Sequence, residues 1–171
     1  MHHLLLSTLL VAVGLLASTG LAAVFFSRSN RAGLAVGSAG ALGASALGLI
    51  AAIVALLSGE RFELLVPWAL PTGSLRFGLD PLSSFFVVCV CAISGLAAWY
   101  GIGYLRGYHE QRRLWPAVVG FNVLEAAMLL VVLARDGVCF LLAWELMSLA
   151  SFFLVTFESE RDNVRRARSR R

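Results

Sequence analysis

Glu145 and Glu125 stand deep inside long apolar stretches of this 171-residue sequence. Glu145 is the ninth residue of the run 137–157, roughly 12 Å from its start at 1.5 Å per helical residue. In a bilayer that depth is near the midplane, where an ionised acid costs about 2.5–3.5 kcal/mol on insertion scales. All 14 basic residues are Arg, and each sits in a loop or at the end of an apolar run. Nothing at Glu145's own depth in this sequence offsets its charge, so a cation would have to come from elsewhere. Acids in that position typically serve ion or proton paths. Ser148 lies one turn further on the same face, with Ser151 beyond it. Glu145 and Ser148 are therefore candidate proton-relay residues. The plainer reading is an acid that hydrogen-bonds a neighbouring helix. Glu125, tenth in the run 116–134, is a second candidate relay carboxyl. It could equally face a partner helix, or sit neutral against a backbone carbonyl.

The elements that must hold these acids are membrane helices. Hydrophobic residues make up 59% of the chain and charged ones 14%, with a mean hydropathy of +0.83. A soluble domain is about 25% charged, so a soluble enzyme and a disordered chain are both excluded. A spanning helix needs about 20 mostly apolar residues. Five runs qualify, at about 4–26, 32–57, 82–105, 116–134 and 137–157. They leave 158–171 as an Arg-rich tail and no room for a soluble domain. The first run competes with a signal-peptide reading, but it is long and has no basic residue before it, which favours a retained helix. The second is lined with small residues every four positions (Gly33, Gly37, Ala41; Gly40, Ala44, Gly48), as close helix packing in lipid requires.

Absences narrow the chemistry. Without Lys there is no Schiff base and no phosphate-loop lysine. Cys89 and Cys91 would point to different helix faces. With Cys139 they read as small buried apolar residues, and neither a metal nor a cofactor is expected. The Arg residues flank apolar blocks and form no basic face, so no nucleic-acid partner is expected.

Charge also sets the expected topology. Eleven Arg fall on the side of the first and third connections and the tail, and three on the side of the N-terminus. The positive-inside rule places the N-terminus outside and the C-terminus in the cytoplasm of a multi-pass cell-membrane protein. Trp99, Tyr100, Tyr104, Tyr108 and Trp115 form an aromatic belt at the same side. The tail, with Arg161, Arg165, Arg166, Arg168, Arg170 and Arg171, would attract anionic lipid. In the outer loop, 62–66 and 74–79 read as strands around Pro71-Thr72-Gly73, predicting a small hairpin over the outer face. Asp80 before Pro81 is placed to cap the third helix. Arg135 and Asp136 fill a turn so short that the last two helices must be antiparallel neighbours.

The string Phe140-Leu141-Leu142-Ala143-Trp144-Glu145-Leu146-Met147-Ser148-Leu149-Ala150-Ser151-Phe152 resembles a signature of the antiporter-like proton-conducting membrane subunits. These belong to hydrogenase-4 and formate hydrogenlyase (component B), complex I (the NADH:quinone oxidoreductase) and Mrp antiporters. Phe77-Gly78-Leu79-Asp80-Pro81-Leu82-Ser83, Tyr100-Gly101-Ile102-Gly103-Tyr104-Leu105 and Met128-Leu129-Leu130-Val131-Val132 resemble flanking family segments. The Trp-Glu-Leu-Met-Ser wording fits the hydrogenase-4 branch best. The resemblance implies that the five helices are the N-terminal part of a larger all-α membrane bundle. Glu145 then matches a glutamate that works with a lysine on a later helix. The lysines have no counterpart here, so the implied partners are Lys-bearing helices from the rest of the subunit or another chain, and other membrane subunits of the complex. The function implied is proton translocation in a redox-driven oxidoreductase assembly, without catalysis by this chain alone. The alternatives are a transport-inactive structural subunit and an Mrp-type cation/proton antiporter component. Glu125 is not part of the family motif.

Overall fold

The fold is that of a computed structural model, which describes residues 2–26, 29–67, 74–106 and 113–168. Hydrocarbon offers no hydrogen bonds, so a spanning backbone must satisfy itself internally. The chain does so with α1 (His2–Phe25), α2 (Asn30–Ser58), α3 (Pro81–Arg106), α4 (Trp115–Leu133) and α5 (Gly137–Arg168), with β1 (Phe62–Pro67) and β2 (Ser74–Leu79) between α2 and α3. All five helices are long and apolar enough to cross a membrane. This is the expected all-α membrane architecture with a short hairpin. Helix α5 continues past its apolar stretch, through most of the Arg-rich segment, to Arg168.

Helix α2 is the centre of the bundle and packs on α1, α3 and α4. Its limits follow from local chemistry. The Ser29 side chain accepts a bond from the Ala32 N–H at the start. At the end Gly59 turns left-handed (φ 65°) and its N–H closes on the Ala55 carbonyl. The small residues along α2 let its neighbours approach. A Cβ on Gly37 would run into Val118 of α4, and one on Gly40 into Thr19 of α1. A Cβ on Gly48 would press on the Cys91 sulfur of α3. Around this axis Leu6, Leu9 and Leu16 of α1 and Leu129 and Leu133 of α4 are fully buried. They form the core with Ala44, Ala52 and Ala55 of α2. Cys91 and Cys139 are buried, as expected, whereas Cys89 is half-exposed.

The hairpin strands pair antiparallel, Phe62 opposite Leu79 and Leu64 opposite Phe77. Phe62, Phe77 and Leu79 are buried against the bundle, while Glu63 and Leu65 point away. The expected turn at Pro71-Thr72-Gly73 lies outside the described residues, as does Tyr108 of the aromatic belt. At the opposite end of the bundle, Trp99 and Tyr100 are exposed and the Tyr100 ring stacks on Tyr104.

The hairpin is fastened to the helix ends by three charged residues. Asp80 Oδ1 accepts the Ser83 N–H at 2.7 Å and caps α3, as its place before Pro81 implies. Asp136 Oδ1 accepts the Cys139 N–H at 2.9 Å and caps α5. Its Oδ2 accepts the Arg76 N–H of β2 at 3.0 Å. Arg135 donates its backbone N–H to the Arg76 carbonyl, and its guanidinium bonds Ser83 Oγ at 2.6 Å, 3.5 Å from Asp80. The Ser83 N–H holds the Asp80 carboxyl below its ordinary value of 3.8, helped by the Ser83 hydroxyl and Arg135. The Arg76 and Cys139 N–H groups lower Asp136 likewise.

Two outcomes follow from this packing. Gly40→Val forces branched carbons into Thr19 and should destabilise the protein by about 1–3 kcal/mol, the range for overpacking, read as a lowered midpoint of thermal unfolding in detergent. Because the folded carboxyl of Asp80 is depressed, its stabilisation is present above the unfolded value and lost as pH falls through the folded one. Thermal midpoints should therefore drop on acidification, and Asp80→Asn, which keeps a capping oxygen but no charge, should flatten that drop. Asp80→Ala should cost about 1 kcal/mol at neutral pH.

Candidate functional site

The structure separates the three candidate relay residues into two environments. Helix α5 packs on α4 and touches β2. It faces α4 with Cys139, Ala143 and Ala150, all buried, and lays Leu154 against Gly120. Glu145 and Ser148 lie off this stripe and are exposed. Their neighbours on the outward surface are large and apolar: Leu141, Leu142, Trp144, Leu149 and Phe152. Ser151 is half-buried and spends its hydroxyl on the Ser148 carbonyl at 2.9 Å. The five helices alone therefore do not enclose a path past Glu145. They present a carboxyl and a hydroxyl on an apolar face at mid-span.

Glu125 has the opposite setting. It is wholly buried. Ser45 of α2 donates its hydroxyl hydrogen to Glu125 Oε1 at 2.5 Å. Glu125 Oε2 is buried and has no hydrogen-bond partner. One turn away on α4, Asn122 is 1% exposed. Its amide donates to Thr19 Oγ1 of α1 at 3.1 Å and to the Gly37 carbonyl of α2 at 3.3 Å. Thr19 in turn donates to the Leu15 carbonyl at 2.7 Å. Three helices thus meet through a polar seam of Thr19, Ser45, Asn122 and Glu125. Glu125 thus makes a contact with a neighbouring helix, and its partner there is a serine hydroxyl.

Sequence reasoning passed over Thr19, Ser45 and Asn122. Hydroxyls in apolar helices usually bond their own backbone and carry little signal. Asn122 was the readable one: an amide three residues from an acid shares its helical face.

A cavity of about 180 Å³ lies between α2, α3, α4 and α5. Tyr104, Leu105 and Ala117 line it at the α3–α4 end, and Ser38, Ala41 and Asn122 line it deeper in the bundle. Among the described residues no group of three His, Cys, Asp or Glu side chains is placed to hold a metal.

No protein-family model matches the chain. Individual relatives do. An uncharacterised protein of Mycobacterium tuberculosis is 44% identical over 102 residues, 60% of this chain and 16% of the relative. NADH-quinone oxidoreductase subunit L of the same organism is 35% identical over 92 residues, 52% of this chain and 14% of that one. Na(+)/H(+) antiporter subunit A1 of Staphylococcus aureus is 30% identical over 115 residues, 66% and 14% respectively. Hydrogenase-4 component B of Escherichia coli also matches, at 27%. The structure of the Mrp complex from Dietzia sp. aligns with 89% of this chain and 16% of that one, at a TM-score of 0.58 and 28% identity. The chain thus spans no more than about a sixth of the length of these proteins. With its five apolar spans, the chain is a membrane protein related to the antiporter-like subunits of NADH-quinone oxidoreductase, Mrp and hydrogenase-4 complexes, with a coverage that fits an N-terminal portion of such a subunit.

Proposed function

We propose that this chain forms part of a proton-translocating membrane subunit of a redox-driven assembly, with Glu145 as its relay acid. The observation that carries the reading is the placement of Glu145 on the outward apolar face of α5. A charged side chain left facing hydrocarbon at mid-span is costly. The same face fits a helix from the remainder of the subunit, or from another subunit, bearing a cation at that depth. Ser148, one turn along, supplies a hydroxyl to the same contact. Proton transfer then needs only that the acid gain and lose its ion-pair partner. The Arg-rich end of the bundle is the cytoplasmic one in this reading, because the end of α1, the start of α2, the end of α3, the start of α4 and the end of α5 lie together there, opposite the hairpin. The tail beyond α5 meets anionic lipid.

A cation/proton antiporter component is the second reading, favoured by the alignment of 89% of this chain with the Mrp complex. Growth under sodium stress separates the two, since the antiporter reading requires that the assembled complex restore it.

The main test is Glu145→Gln in the assembled complex. Proton translocation should fall by about tenfold or more, as loss of a positioned acid–base group does, and Glu145→Asp should restore part of it. Because Glu145 is exposed in the five-helix unit, neither change should lower thermal stability. Unaltered translocation in Glu145→Gln would overturn the assignment.

A further inference from the structure

Glu125 is not used by the mechanism above, yet it is the more deeply buried of the two acids. Its two oxygens differ. Oε1 is held by the Ser45 hydroxyl, while Oε2 is buried without a partner. A buried polar atom left in that state calls for a physical account. If Glu125 is a carboxylate, Oε2 needs a donor; if it is an acid with its proton on Oε2, that O–H needs an acceptor. A water molecule can serve in either role.

The surroundings offer one direction from which water can come. Toward the hairpin from Glu125 the bundle holds Leu9, Leu129, Leu133 and Ala52, all fully buried. On the other side lies the cavity of about 180 Å³, room for several waters. Its deep end is lined by Ser38, Ala41, Ala98 and Asn122. Ser45 is one turn beyond Ala41 on α2, Ser94 one turn beyond Ala98 on α3, and Glu125 three residues beyond Asn122 on α4. Ser45 and Ser94 are both buried at this level, and Gly95 sits against Ser45. About 6 Å of helix rise therefore separates the cavity floor from the carboxyl, and the buried Ser45 and Ser94 lie within that interval.

We propose that Glu125 is a second, independent proton-binding site, served by water from the α3–α4 end of the bundle through the cavity that ends at Ser38 and Asn122. A hydrated proton arriving by this path transfers to Oε2 and leaves neutral water behind; release reverses the step. Ser45 keeps its hydrogen bond to Oε1 throughout. Among the described residues no arginine meets the charge of the carboxylate, and its titratable neighbour on α3 is the Cys91 thiol. Ser45 faces it from α2. On α1, Thr19 accepts from the Asn122 amide, three residues from Glu125 on α4, and Glu145 of α5 is turned outward.

Infrared difference spectroscopy on the full chain in lipid bilayers tests this without reference to Glu145 or to the assembled complex. A protonated carboxyl band should appear on acidification, persist in Glu145→Gln and vanish in Glu125→Gln. On transfer to heavy water it should downshift as fast as the solvent is exchanged. Ala98→Leu, which fills the cavity, should slow that downshift at least tenfold while leaving the band in place. Should Glu125→Gln not fold, Ser45→Ala identifies the same band by moving it upward, since one hydrogen bond to the carboxyl is lost. A band absent at every pH, or present but resistant to heavy water, would overturn the proposal. So would an exchange rate unchanged by Ala98→Leu.

Discussion

Hydrocarbon supplies no hydrogen bonds, and the rest of this structure depends on that constraint. It obliges the backbone to form helices, and it obliges each polar side chain within a span to find a partner in the protein or a route to water. Helix association cannot rely on the hydrophobic effect, because the lipid is as apolar as the side chains. It relies on close packing, and α2 provides that through Gly37, Gly40 and Gly48, each with a neighbouring side chain where a Cβ would stand. The close approach has a second effect. Only with α1 and α4 drawn against α2 can the Asn122 amide reach both Thr19 and the Gly37 carbonyl. The glycine packing and the polar seam are therefore one feature of the sequence seen at two scales.

The two intramembrane acids meet the same constraint differently. Glu125 is turned inward and takes a hydroxyl from α2. Glu145 is turned outward, on an edge helix that packs chiefly on α4 and touches the hairpin. An inward acid is compatible with the five-helix unit as it stands. An outward acid is left on the apolar surface of that unit without a hydrogen-bonding partner among the described residues of the five helices.

Much of this was legible in the sequence, and the illegible part has a physical reason. The spans follow from hydropathy, because only long apolar runs can cross. The hairpin was readable from alternation in Ser74-Leu75-Arg76-Phe77-Gly78-Leu79, and the α3 cap from Asp80-Pro81. The facing of each acid was not readable. A soluble helix announces its buried side by polar residues on the other, but α4 and α5 are apolar on every side within the span. Glu145 and Glu125 therefore looked alike, each near the middle of an apolar run. Depth was legible and azimuth was not. The motif drew attention to Glu145, whereas the buried seam rests on Ser45 and Thr19, whose residue types give no warning.

Azimuth is settled instead at the hairpin end. Asp136 bonds the Arg76 N–H with one carboxyl oxygen and the Cys139 N–H with the other, so the first turn of α5 is fixed to β2. The Arg135 N–H on the Arg76 carbonyl and the pairing of Phe77 with Ala134 hold the preceding residues to the same strand. With its start pinned and Cys139, Ala143 and Ala150 committed to α4, α5 has no freedom to rotate Glu145 inward. The direction in which Glu145 points is thus set by hydrogen bonds about 12 Å away along the helix, at the hairpin rim. There, short polar contacts can form without the desolvation cost they would carry at mid-membrane. The hairpin belongs to the site for that reason: it fixes the start of α5 and with it the surface on which Glu145 is presented.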